Sequence, residues 1–298
     1  MRQAIRLLLA ALALVLGGSA GAADPVTLRI GVVSERQGQP DYTLSQYRPL
    51  VEILRQRLFD RSIGVELRVA EDLNGLVQSA QRGEVDAVME SLFPTFALER
   101  ANVRLDMNLA AWRRGSRDTH SVFFVRNDSP YRTLGDLKGR VLALESPRST
   151  TAFALPRAEL RRAGLASVAA DSARPPPGAL RYILAGDETN QAYWVAGRKA
   201  DVGAFNITDW NDLPEKLRQE LRIIHTTQPI LRWVWSFRQD LPPPIKTAVA
   251  DALLKLHEDA AGKAALAAAR NIVKFDRIDE TDRKHIAAWR RFASGEPQ

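Results

Sequence analysis

The 298-residue chain contains no cysteine. It therefore has no disulfide, no thiolate nucleophile and no cysteine for lipid attachment at a cleavage point. Its four histidines, His120, His225, His257 and His285, show neither H-x-x-x-H nor H-E-x-x-H spacing, the patterns that place two metal ligands on one helix face. A G-x-S-x-G nucleophile elbow and a P-loop are also missing. These absences argue against the common hydrolase classes and for binding without turnover, and neither a cofactor nor a metal site is expected. Beyond the N-terminus no apolar run is long enough to span a bilayer.

What is present begins with an export signal. Arg2 and Arg6 precede the apolar run Leu7 to Leu16, and Ala20-Gly21-Ala22 supplies the small residues of a cleavage site. The pattern predicts a signal peptide over residues 1–22 and a periplasmic mature protein. Lys and Arg total 42 against 35 Asp and Glu, a formal charge of +7. The basic residues are scattered rather than blocked, so nucleic acid is not an expected partner, whereas a positive field attracts small anions.

Alternating and apolar runs predict strands at Val26–Val33, Val65–Val69 and Val85–Met89, with helices opening at Tyr47, with Pro49 in the first turn, and at Leu73. A polar loop is expected from Ser34 to Ser45. The pattern restarts at Ser121–Val125, with a short helix at Leu134–Gly139, a strand at Arg140–Leu144 and a helix over Thr150–Ala163 bent by Pro156. Strands at Leu180–Leu184, Val202–Phe205 and Trp233–Phe237 and helices at Pro244–Leu256 and Asp259–Ala269 complete the reading. Strand–helix alternation of this kind predicts an α/β protein with largely parallel, helix-covered sheets. Gly83–Val88 and Gly197–Ala204 are alike, each a turn before an Asp-containing strand start. They read either as equivalent positions in two lobes or as two unrelated helix-to-strand turns.

From Ser121 to Gly164, above all in Glu145-Ser146-Pro147-Arg148-Ser149-Thr150-Thr151 and Leu155-Pro156-Arg157, the sequence resembles the phosphate/phosphite/phosphonate-binding proteins of ABC importers. The likeness extends to Tyr47–Leu50, Glu90–Thr95 and Asp240–Pro243 in the same order. It implies a two-lobe type II periplasmic binding protein fold that closes on its ligand, works as a monomer and delivers a small anionic ligand to an ABC permease. Carried over, lobe one comprises 26–114 and 228–298, lobe two 118–224, and the hinge crossovers 115–117 and 225–227. An exported sensor partnering a membrane receptor kinase would use the same cleft, and a sulfonate is an alternative ligand.

The foremost candidate site is Ser149-Thr150-Thr151, between a strand and a helix. First-turn amides lack intrahelical acceptors and, with the helix dipole, hold anions. On residue type alone the run reads first as a plain cap, and the resemblance reverses that in favour of the anion site. Arg148 stands where the family usually has glycine, and either pairs with the anion or projects into solvent. Glu90, Ser91 and Thr95 follow the third strand, at the end that faces the crevice in such sheets. They read as ligand donors or as a helix N-cap group. Tyr47 occupies the family's cleft-lining aromatic position, with core packing as the alternative. The resemblance places further polar contacts at Asn190, Asn206 and Asp209, without the histidine usual near the first. Trp112 and His120 flank the crossing, Trp112 as hinge packing, with stacking on an organic ligand group as the alternative.

Overall fold

The computed structural model describes residues 26–34 and 38–294, so the expected signal peptide lies outside the described residues. The first strands are β1 (Val26–Val33), β2 (Ile63–Ala70), β3 (Ala87–Ser91) and β4 (Leu105–Arg113). A short β5 (Asp118–Thr119) leads to β6 (Ser121–Arg126), β7 (Val141–Leu144), β8 (Ser167–Ala169), β9 (Leu180–Leu184), β10 (Val202–Asn206) and β11 (Leu221–Thr226). The chain returns through β12 (Ile230–Leu231) to β13 (Trp233–Arg238) and β14 (Ile272–Arg277). One six-stranded sheet has the order β14-β4-β13-β3-β1-β2 and the other β11-β6-β10-β7-β9-β8. Between them β5 and β12 form an antiparallel ribbon, Thr119 facing Ile230 and Asp118 facing Leu231. The chain therefore passes between the sheets at 114–120 and 227–232; Thr226 still pairs with Val122 inside the second sheet.

Helices cover both sheets. They are α1 (Pro40–Leu58), α2 (Leu73–Gln81), α3 (Leu92–Arg100), α4 (Leu155–Arg162), α5 (Glu188–Ala196), α6 (Ile207–Asp212), α7 (Glu215–Gln219), α8 (Pro243–Lys255), α9 (Ala260–Ala268) and α10 (Glu280–Ser294). The alternation in β1 turns Leu28, Ile30 and Val32 into a core shared with α1, α8 and α9. On the opposite face Gly31 lets α2 approach: a Cβ there would lie 2.7 Å from both Leu76 and Val85 side chains. In the second sheet Phe124 and Phe205 pack under α5 and α6, and Phe123 and Leu142 under α4.

Three expectations need correction. The sheets are mixed rather than largely parallel, because β13, β4 and β14 in one and β6 and β11 in the other add antiparallel pairs. The segment expected as loop up to Ser45 is helical from Pro40, with Pro40 in the first turn and Asp41 beside it, and Pro49 lies inside α1. Pro49 removes one helical hydrogen bond, but burial of Tyr47, Leu50, Leu54 and Leu58 along one face holds the helix across it. The third strand runs Ala87–Ser91, two residues later than Val85–Met89, because Asp86 ends the preceding turn by binding β1. Its carboxylate accepts from the Arg29 N–H (2.9 Å) and, bidentately, from the Arg29 guanidinium (2.7 Å for each bond). Asp201 does the same before β10, accepting from the Val141 N–H of β7 at 2.8 Å. Strands β3 and β10 each lie between one parallel and one antiparallel neighbour. The left-handed residue stands three before each aspartate, Gly83 at φ 72° and Arg198 at φ 63°. The two similar segments thus hold equivalent places in the two sheets.

Helix α10 braces the whole. Ile286 and Trp289 pack with Phe93 and Phe96 of α3 and with Leu155 and Ala158 of α4, joining elements on the two sheets. Its first turn holds the crossing: Arg117 grips the buried Asp282 carboxylate through both terminal nitrogens, one at 2.7 Å.

Candidate ligand-binding site

The C-terminal ends of parallel strands β1, β3, β7 and β9, with that of β10, converge where the sheets face each other. Ser149 caps a single wide helical turn (Thr150–Ala154) that runs on into α4 with Pro156 near its start, its Oγ accepting from the Ala152 N–H at 3.0 Å. Thr150 points across the gap, and its Oγ1 lies 2.8 Å from Ser91 Oγ. One hydroxyl of such a pair uses its hydrogen on the other, leaving one O–H to donate elsewhere. The Thr151 hydroxyl has no protein partner among the described residues, while its carbonyl accepts from Ser121 Oγ at 2.6 Å. Arg148 also crosses, donating to the Ser34 carbonyl at the end of β1 at 3.1 Å.

The other expected residues sort by burial. Ser91 is the N-cap residue of α3 but makes no side-chain cap bond, its hydroxyl being turned to Thr150. Thr95 is fully buried and donates to the Ser91 carbonyl at 3.0 Å. Glu90 is buried and accepts from the Val33 N–H at 2.8 Å, tying β3 to β1. Tyr47 packs in the core of the first sheet. Asn190 is exposed and bonds to Ala185 O (3.1 Å) and Asp187 Oδ2 (2.7 Å). Asn206 is buried at the N-cap of α6, accepting from the Asp209 N–H at 3.0 Å and donating to its carboxylate. Trp112 lies away from this group, its indole N–H on Asp276 and Lys274 Nζ 4.3 Å from its ring centroid. The gap thus brings together Ser91, Arg148, Ser149, Thr150 and Thr151, with Asn206 and Asp209 on the neighbouring loop.

Beside them stands an acidic wall, of which the sequence singled out Asp209 but not Glu145 or Glu188. Glu145, Glu188 and Asp209 follow β7, β9 and β10. Burial, with the nearby Glu145 carboxylate, pushes Glu188 up to about 7. Burial and Glu188 push Asp209 up to about 6, against the pull of Arg232 and Arg114. Glu145 is raised as well, by burial.

Between the unfolded carboxylate pKa near 4 and the raised folded values, the folded chain holds protons that the unfolded chain has released. This contribution is greatest on the acid side and is lost as pH rises through 6–7. Glu188→Gln is expected to match wild type near pH 5 and to exceed it by on the order of 1–2 kcal/mol near pH 8. Melting curves at the two pH values check this; equal or lower stability of the variant at pH 8 would contradict it.

Two α/β sheets joined by a paired crossing, with donors facing each other across the strand ends, define a two-lobe solute-binding protein of the periplasmic type. The family model for the ABC transporter, phosphonate, periplasmic substrate-binding protein matches residues 31–283, and the chain belongs to that family. Proteins of this family bind small anionic ligands in the periplasm and work with an ABC permease. The chain is similar to XAC2383 from Xanthomonas citri, solved with chloride, at 30% identity and a TM-score of 0.81, over 90% of this chain and 98% of that one. The same protein solved with ATP matches at 30% identity and 0.81, over 90% and 97%. PhnD1 from Prochlorococcus marinus in complex with methylphosphonate shares the fold at 18% identity and a TM-score of 0.63, over 92% and 100%. No curated protein matches the chain. Among the described residues no helix is long and apolar enough to cross a membrane.

Proposed function

We propose that the chain captures a small phosphorus oxyanion at Ser149–Thr151 and closes on it. The mature protein is exported by removal of residues 1–22 and acts as a monomer. Residues 26–114 and 228–294 behave as one lobe and 118–224 as the other, rotating about the paired crossing. The observation that carries this is the Ser91–Thr150 hydroxyl pair across the gap. A ligand that accepts from both sides favours the closed state by its contacts in that state alone. The helix start adds amide donors and the positive end of a dipole.

The acidic wall narrows the ligand. Glu145, Glu188 and Asp209 oppose a bare dianion near the helix start, and favour a ligand that is monoanionic or carries an ammonium group beside its phosphonate. ATP, bound by the Xanthomonas citri relative, presents the same phosphoryl oxygens and is the second candidate.

A thermal-shift panel tests the reading. It comprises phosphate, phosphite, methylphosphonate, 2-aminoethylphosphonate, ATP and an alkylsulfonate. A ligand present at about 100 times its dissociation constant adds ~2.7 kcal/mol. Aminoethylphosphonate is expected to shift the melting temperature most. A shift with the sulfonate alone, or with none, would overturn the ligand class.

A further inference from the structure

Arg232 lies between β12 and β13, one residue before Trp233, which pairs with Ser91. Only 8% of it is exposed. Among the described residues its guanidinium makes no hydrogen bond, ion pair or ring contact; only its main-chain N–H is engaged, with the Arg117 carbonyl. The charges it feels are Asp209, which favours its cationic form, and Arg114, which opposes it, while burial works against the charge. Other arginines around the crossing are engaged: Arg117 with Asp282, Arg114 with Asp212 at 3.3 Å, and Arg113 with the Arg270 carbonyl. Burial works against the charge of this guanidinium, and its five donors, without a protein acceptor, are left to solvent or to a ligand.

Its position gives those donors a purpose. The backbone of Arg232 is beside the end of β3, where Ser91 meets Thr150, and its charge reaches Asp209 on the opposite lobe. An anion held by the hydroxyl pair and the helix start is therefore within the neighbourhood of this fork. A planar guanidinium matches two oxygens of a phosphonate or phosphoryl group, which a lysine ammonium does not. We propose that Arg232 is an anion-binding residue of the cleft, pairing with the ligand's oxyanion and making the site reject neutral isosteres. Asp209 favours the charge of the fork without pairing with it. This assignment rests on the proposed ligand class and adds a residue from the first-sheet side to it.

The test is calorimetric titration of the exported chain with methylphosphonate, 2-aminoethylphosphonate and ATP, for wild type, Arg232→Gln and Arg232→Lys. Arg232→Gln is expected to lose about 30-fold or more in affinity and Arg232→Lys about tenfold, the charge remaining but the fork lost. The ligand-free melting temperature of Arg232→Gln is expected to equal or exceed wild type, since an unpaired buried charge is removed. Wild-type affinity in either variant overturns the assignment. So does a ligand-free melting temperature of Arg232→Gln several degrees below wild type, which would mark a structural arginine. If Arg232→Gln fails to fold, Arg232→Lys decides by its affinity alone. A wild type that binds none of the probes instead overturns the ligand class on which the assignment rests.

Discussion

Replacing Asp282 with alanine is expected to cost about 3–5 kcal/mol of stability, the loss typical of removing one partner of a buried ion pair. Arg117 would keep its charge with side-chain exposure of 19% and lose its bidentate acceptor, itself 8% exposed. The same carboxylate accepts from the Asp279 N–H at 2.9 Å while Asp279 caps the Asp282 N–H at 2.8 Å, so one arm of a reciprocal helix cap is lost as well. For a chain of this size such a loss lowers the melting temperature by about 10 °C. Asp282→Asn keeps an acceptor for Arg117 and should lose less. The consequence reaches beyond stability, because α10 touches both α3 and α4. Loosening its first turn releases the brace that spans the lobes. A melting temperature within two degrees of wild type would show that the crossing is held by other contacts.

Replacing Thr150 with valine is expected to weaken phosphonate binding by about 10- to 100-fold, since a hydrogen bond to a charged group contributes ~1.5–3 kcal/mol. Valine keeps the shape and removes the Oγ1 that faces Ser91. The main chain of the helix start is unchanged, so its amides and dipole persist, and binding weakens rather than vanishes. Stability should change by less than about 1 kcal/mol, because the Ser91 hydroxyl is only half-buried and regains water. Ser149→Ala acts differently. It removes the cap accepted from Ala152 and should cost about 1 kcal/mol of stability together with affinity. Titration and melting of the two variants separate donor loss from loss of the cap. Equal affinity in Thr150→Val and wild type would move the anion away from this helix start.

Elements with clean alternation were legible: β1, β2, β6, β7 and β13 lie where the apolar runs put them. The strands left unread carry charge at their ends or partial exposure. Strand β14 (Ile272–Arg277) intersperses Lys274, Asp276 and Arg277, held by pairing with β4 rather than by its own pattern. Helix α10 is strongly charged, and its apolar stripe of Ile286 and Trp289 gains meaning only from α3 and α4. The start of α1 was hidden by Pro49, whose local preference is overridden by core packing. At the site, hydroxyls between a strand and a helix gave a readable signal. Of the acidic wall only Asp209 was read, through the resemblance; Glu145 and Glu188 gave no signal, because the three carboxylates come from loops far apart in sequence and only the sheet order brings them together. Arg232 left a trace: a single cation in the otherwise apolar run Ile230 to Trp235.

The most direct test is a crystal structure of the exported protein grown with 2-aminoethylphosphonate. Phosphorus density between the Thr150 and Thr151 hydroxyls and Ser91, with oxygens within about 2.7–3.1 Å of those donors, is the predicted result. Phosphorus bound outside the gap between the two sheets, or against the Glu188 and Asp209 carboxylates instead of the helix start, would contradict it.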